Sequence, residues 1–145
     1  ALVDAASYAD VLKPNEHEIR AATGCSTIGE GARMLLDRGP SWVFVSRGAD
    51  GMDLYSNEGS WHASSDPTIT GNPTGAGDAG VAAIATHLDG HGLLSETNGV
   101  MALADAVATS TAAVMRPTAG EIDMSVRSRV LASATPVRLA SRPTH

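Results

Sequence analysis

The chain has 145 residues, a formal net charge of -6 and 43% hydrophobic residues. That suffices for one domain with a core of its own; the acidic balance argues against a nucleic-acid partner, and no apolar run reaches the length of a membrane span. Cys25 is the single cysteine, so no disulfide framework can form within the chain, and with no signal peptide the cytoplasm is the expected compartment.

The chain starts at Ala1, without Met, inside what reads as an element, which suggests a fragment or a processed chain. Residues 1–12 read as a short strand end followed by a helical turn. Pro14 biases Lys13 to an extended shape, and Asn15 then caps a helix whose first turn carries Glu16 and Glu18. Gly24 closes that helix. Ser26 or Thr27 caps the next, with Ile28, Ala32, Leu35 and Leu36 as its apolar stripe, and Gly39-Pro40 stops it. Trp42-Val43-Phe44-Val45 is an unbroken apolar run, the pattern of a strand buried on both faces of a mainly parallel sheet. Met52–Ser56 and Ser60–Ala63 form a hairpin around Asn57-Glu58-Gly59. A Gly-rich loop, residues 71–80, opens a helix with Val81, Ile84, Ala85 and Leu88 on one face. After a polar connection over 89–97, Val100, Leu103, Ala104, Val107, Thr111 and Val114 mark a long helix near 98–115. A last helix follows near 123–133, and a short strand near Val137–Leu139. This order is that of an α/β sandwich.

The Gly-rich loop carries the chemistry. In Gly75-Ala76-Gly77-Asp78-Ala79-Gly80, small residues allow close approach to the backbone. The start of the following helix offers unpaired N–H groups to an anion. Asp78 is out of place beside an anion unless it takes a proton from an attacking hydroxyl; the alternative is a first-turn Asp favoured by the helix dipole alone. Between Arg47 and Arg116 there is no Lys or Arg, while the stretch holds Asp50, Asp53, Glu58, Asp66, Asp78, Asp89, Glu96 and Asp105. A phosphate there has to be held by backbone amides, a bound Mg2+ or residues elsewhere.

Two further patterns bear on a nucleotide. Ser46-Arg47-Gly48-Ala49-Asp50-Gly51 follows the apolar strand, where α/β sheets place ligands; alone it also reads as an ordinary turn. Asn15-Glu16-His17-Glu18 could hold a hydrated Mg2+, or be no more than a capped helix start. No P-loop signature is present. Gly75-Ala76-Gly77-Asp78-Ala79-Gly80 matches Gly-x-Gly-x-x-Gly formally, without the strands a dinucleotide fold needs on either side. The five histidines have no zinc-like spacing and read as surface residues.

In this order the three patterns resemble the PfkB/ribokinase family of ATP-dependent carbohydrate kinases. Asn15-x-x-Glu18 is similar to its Mg2+-associated motif, Ser46-x-Gly48-x-x-Gly51 to its nucleotide phosphate loop, and Gly75-Ala76-Gly77-Asp78 to its anion hole and catalytic Asp. Lys13-Pro14-Asn15 and Pro117-Thr118-Ala119-Gly120-Glu121 look most like the 1-phosphofructokinase and tagatose-6-phosphate kinase branch. The resemblance implies a three-layer αβα sandwich with a hairpin at the sheet edge. It implies ATP and a hexose or hexose phosphate as substrates, and Lys13, Asn15, Ser46, Gly48 and Gly51 around the nucleotide. Mg2+ would sit near Asn15 and Glu18 through water, and Asp78 would be the base. A family member is roughly twice this long, so the chain reads as the C-terminal, nucleotide-binding half. The sugar site and its lid would be absent, and exposed apolar surface would favour aggregation or a homodimer. A non-catalytic nucleotide binder and a dinucleotide module are the rival readings.

Overall fold

In the computed structural model, residues 1–66, 68, 69, 71, 75–88, 95–114 and 122–141 are described. Among these residues six helices flank one sheet: α1 (Leu2–Ala6), β1 (Val11–Leu12), α2 (Glu16–Thr23), α3 (Ile28–Leu36), β2 (Trp42–Ser46), a 3-10 turn (Gly48–Asp50), β3 (Met52–Ser56), β4 (Gly59–Ala63), α4 (Ala76–Ala85), α5 (Glu96–Val114), α6 (Met124–Ser133) and β5 (Val137–Ser141). The polar connection expected over 89–97, apart from residues 95–97, and the Pro117–Glu121 motif lie outside the described residues.

The strands are ordered β1-β2-β3-β4-β5. Only β1 and β2 pair in parallel; β2–β3, β3–β4 and β4–β5 are antiparallel. The expected mainly parallel sheet is therefore corrected to a mixed, mostly antiparallel one. Chain length is the reason. Residues 13–41 carry α2 and α3 across a face and return the chain parallel, whereas Arg47–Gly51 and Asn57–Glu58 are too short for anything but a reversal. The hairpin β3–β4 is not the edge either, because β5 adds beyond β4. Its Arg138 guanidinium stacks 5.4 Å from the Trp61 ring centroid and donates to the Glu58 carbonyl oxygen at 2.8 Å.

The apolar run lies between two neighbouring strands, and Val43, Phe44 and Val45 are fully buried because each face of the sheet meets helices. Trp42, Phe44, Met52, Leu54, Trp61 and Ala63 pack under α4, α5 and α6. Val43 and Val45 meet Ala6, Ile19, Ile28, Ala32, Leu35 and Leu36 from α1, α2 and α3 on the opposite side. Residues 1–12 reverse the expected order, helix first and strand second. The two-residue strand exists through its pairing with Trp42 and Val43, which no local pattern encodes.

Helix α4 also departs from the expected stripe. Val81 is 50% exposed, Ala85 is exposed, and the helix ends before Leu88, while Ala79, Gly80, Ala83 and Ile84 are buried. The contact with α5 selects small residues: a Cβ on Gly80 would sit 2.7 Å from Ser110 Oγ. Helix α5 is buried on nearly every side, from Gly99, against the Trp42 ring, to Ala113. It leads from α4 with no strand between them among the described residues, so the βαβ unit of a dinucleotide module is not formed. Among the described residues no helix is long and apolar enough to cross a membrane.

Candidate active site

The first corner of the site is the β1–α2 junction. The expected cap on α2 forms as a closed box: Asn15 Oδ1 accepts from the Glu18 N–H at 2.8 Å, and Glu18 Oε2 accepts from the Asn15 N–H at 2.8 Å. Gly24 ends the helix at φ 68°, in the left-handed region. The backbone at this corner is tied to β2, with a parallel bridge from Asn15 to Ser46 and the Ser46 N–H donating to the Pro14 carbonyl at 3.1 Å. Residues 13–18 and 46 are thereby placed side by side.

The second corner is the turn after β2. The Arg47 N–H donates to the Gly51 carbonyl at 2.9 Å, closing the loop over a single 3-10 turn. Two of its glycines serve different ends. Gly48 has φ 57° with nothing within 4 Å of an added Cβ, so a side chain there would project into open space. Gly51 has φ 100°, and its Cβ would fall 2.1 Å from the Ala63 carbonyl oxygen, so the start of β3 can only carry glycine.

The third corner is the start of α4. Gly75 is the N-cap at φ 84°, and no side chain caps this helix among the described residues. The first N–H groups of such a helix point toward an anion placed at its start. Asp78 is exposed in the first turn. Asn72, Pro73 and Thr74, the lead-in to this helix, lie outside the described residues.

These corners face one cleft of about 610 Å³, whose wall includes Lys13, Asn15, Ser46, Gly48, Gly51, Ala76 and Gly77. Gly75, Asp78 and Glu18 stand beside that lining rather than in it. Lys13, the only lysine in the chain, lies over the start of α4, with Nζ 3.9 Å from the position a Cβ on Gly77 would take. Burial pushes its pKa below the ordinary 10.5, and the nearby Glu18 and Asp78 charges pull it partly back. A cation is thus brought beside the Gly-rich stretch from some sixty positions earlier in the chain.

Glu18 is one hard oxygen donor with one oxygen already engaged. Among the described residues, no three His, Cys, Asp or Glu side chains cluster as metal ligands. Such a set fits a hydrated Mg2+, which keeps several waters and takes one or two carboxylates together with substrate phosphates; it does not fit a dry, all-protein cage.

Several lining residues escaped sequence reasoning. Met52, Ile69, Val107 and Val114 give the cleft an apolar wall edged by Ser65, Ser110 and Thr111, whose hydroxyls include a Ser65–Thr111 pair at 2.9 Å. Val107, Ser110, Thr111 and Val114 share one face of α5 by helical spacing, but no spacing signal links that face to Met52 on β3 or to Ser65 and Ile69 in the loop after β4. Next to the Ser46–Gly51 turn, Asp53 is 2% exposed and meets His62 Nδ1 at 2.6 Å and the Tyr55 hydroxyl at 3.1 Å. Burial, followed by the Asp53 charge, pushes the Tyr55 phenol above its usual range, so it remains an O–H donor. A second such pair joins His87 to Asp105 at 3.0 Å. The surface reading of the histidines thus fails for His62 and His87, whose ring nitrogens meet the buried Asp53 and the partly buried Asp105; His17 is exposed, and His91 and His145 lie outside the described residues. An Asp in mid-strand was the available signal, because Asp is depleted there.

Known proteins resemble this chain in sequence and in fold. A bifunctional protein HldE from Hyphomonas neptunium is 34% identical over 120 residues, which span 78% of this chain and 25% of that protein. The aminoimidazole riboside kinase of Salmonella enterica, solved with aminoimidazole riboside and an ATP analogue, superposes with a TM-score of 0.75 at 25% identity over 89% of this chain and 44% of that one. A ribokinase II from E. coli, solved in complex with ATP and Mg2+, superposes with a TM-score of 0.68 at 28% identity over 88% of this chain and 41% of that one. The chain thus spans a quarter of its curated relative and less than half of these solved kinases. Their names cover different sugar kinases, so no branch is singled out. The pfkB family carbohydrate kinases match residues 1–125, three motif corners included, and the chain belongs to that family.

Proposed function

We propose that the chain is the nucleotide-binding half of an ATP-dependent carbohydrate kinase that transfers the γ-phosphoryl group of ATP to a hydroxyl of a hexose or hexose phosphate. One observation carries this reading: three motifs far apart in sequence, at 13–18, 46–51 and 75–78, meet around a single cleft.

In this reading the phosphates lie between the Gly48 turn and the start of α4. The amides of Gly75, Ala76, Gly77 and Asp78 hold the charge that develops on the transferred group. Lys13, with Asn15, Ser46, Gly48 and Gly51 beside it on the cleft wall, adds a mobile cation. Asp78 accepts the proton of the acceptor hydroxyl; its exposed place on the cleft rim leaves room for that substrate. Mg2+, held through water near Asn15 and Glu18, would neutralise phosphate charge. Positioning and electrostatics account for most of the rate in such transfers. Lys13-Pro14-Asn15 favours a hexose phosphate as acceptor, as in the 1-phosphofructokinase and tagatose-6-phosphate kinase branch. Cytoplasmic location and a homodimer complete the proposal.

Calorimetric titration with MgATP tests nucleotide binding by the chain itself. In a polypeptide that also supplies a sugar site, Asp78→Asn lowers kcat by about 10²–10⁴-fold with ATP affinity nearly unchanged. Activity within about threefold of the parent would make Asp78 a helix-start residue and leave the site a nucleotide binder.

A further inference from the structure

We infer that Asp53 is a positioning residue that sets the nucleotide loop by holding Arg47 against the sheet; the inference rests on the reading of Ser46–Gly51 as that loop. A carboxylate in the middle of β3, its side chain 3% exposed, carries a large desolvation cost unless it is paired. It stands in a row across three strands, Val45–Asp53–His62, on the face that α3 covers at its other end.

Its orientation is fixed from within the sheet. Oδ1 meets His62 Nδ1 of β4 at 2.6 Å, and Oδ2 accepts from the Tyr55 hydroxyl of β3 at 3.1 Å. Arg47 is held far less firmly. One nitrogen, Nη1, reaches Asp53 Oδ2 at 3.5 Å, and Nε is buried with no partner among the described residues. The sheet therefore fixes Asp53, and Asp53 fixes Arg47.

Arg47 is the base of the loop. Its N–H donates to the Gly51 carbonyl at 2.9 Å, and its carbonyl accepts from the Asp50 N–H at 3.1 Å, so both sides of the turn hang on its torsions. The residue after it, Gly48, is the left-handed position facing open space. With its guanidinium drawn onto the sheet, Arg47 is absent from the cleft lining, which leaves Lys13 and the backbone amides to meet the phosphates. Asp53 thus acts on the nucleotide without touching it.

MgATP titrations of Asp53→Asn, Arg47→Met and the double variant test this, with amide exchange over residues 47–51 as the second measurement. Asp53→Asn and Arg47→Met each weaken MgATP binding about five- to tenfold, the scale expected when part of a charge-assisted hydrogen bond is lost. The double variant is no weaker than the poorer single variant, because both remove one tether. Exchange speeds up at residues 47–51 and not in α5. If Asp53→Asn does not fold, Arg47→Met, altered at a side chain that is one-third exposed, carries the test alone. Unchanged affinity in both single variants, additive losses, or tighter binding by Asp53→Asn through a freed Arg47 would each overturn the inference. A parent chain that binds no MgATP overturns the nucleotide reading itself, and the inference with it.

Discussion

Lys13→Met is the sharpest probe of the cleft. It removes the chain's only lysine and keeps a flexible side chain of similar length and volume at a half-buried position. A charge-assisted hydrogen bond from an ammonium to a phosphate is worth about 1.5–3 kcal/mol, so the affinity for MgATP falls roughly 10- to 150-fold. The fold should not suffer, because a desolvated ammonium is a cost to the native state, and the melting temperature stays level or rises. The pH dependence gives an independent check. Burial holds the Lys13 pKa below the ordinary 10.5, against the raising effect of Glu18 and Asp78. Between the folded and the unfolded value, the unfolded chain holds a proton that the folded chain has released, so the stability term from Lys13 rises with pH across that window. MgATP affinity moves the opposite way and is lost as pH climbs through the folded pKa. In Lys13→Met both alkaline trends vanish. The assay is calorimetric titration with MgATP at a series of pH values, together with thermal melts. Affinity within twofold of the parent, or a parent whose alkaline limb survives in the variant, would refute the placing of Lys13 on the phosphates.

The two loop glycines separate binding from folding. Gly48→Val places a branched side chain at a left-handed φ facing open space, so ATP affinity falls while the melt remains cooperative; unchanged affinity would return residues 46–51 to a plain turn. Gly51→Ala instead drives a Cβ toward the Ala63 carbonyl and costs upwards of about 2 kcal/mol of stability, read as a lower melting temperature with or without nucleotide. Asp105 ties α4, α5 and α6 together through His87, Arg127 and Thr109. Burial raises its pKa, but the bonds from His87, Arg127 and Thr109 prevail and hold it below 3.8. The stability it gives is present above that value and lost as pH falls through its folded pKa. Asp105→Asn lowers stability by about 1–3 kcal/mol at neutral pH and flattens that acid limb, which melts at pH 2–7 would reveal.

The sequence by itself determined much of the local structure and the family. Asn15 with Glu18, and Thr27 with Glu30, close their capping boxes as short-range patterns require, and Gly24 turns left-handed where the helix must stop. The two Gly-rich motifs and the Asn15–Glu18 motif were legible because turns and helix starts restrict residue type within a few positions. Tertiary structure decided what depends on distant partners. Trp42–Val45 announced burial on both faces, but burial says only that helices lie above and below; the direction of the neighbouring strands was set by connection lengths. Val81 carried the periodicity of a core residue, yet α4 buries Gly80 and Ala83 instead, because α5 approaches too closely for larger groups. Lys13 was legible only through the resemblance carried by Lys13-Pro14-Asn15, Asp53 only as an Asp inside a strand, and His62 not at all. Each meets a residue on another strand or helix, and one-dimensional spacing cannot encode a contact made across the sheet.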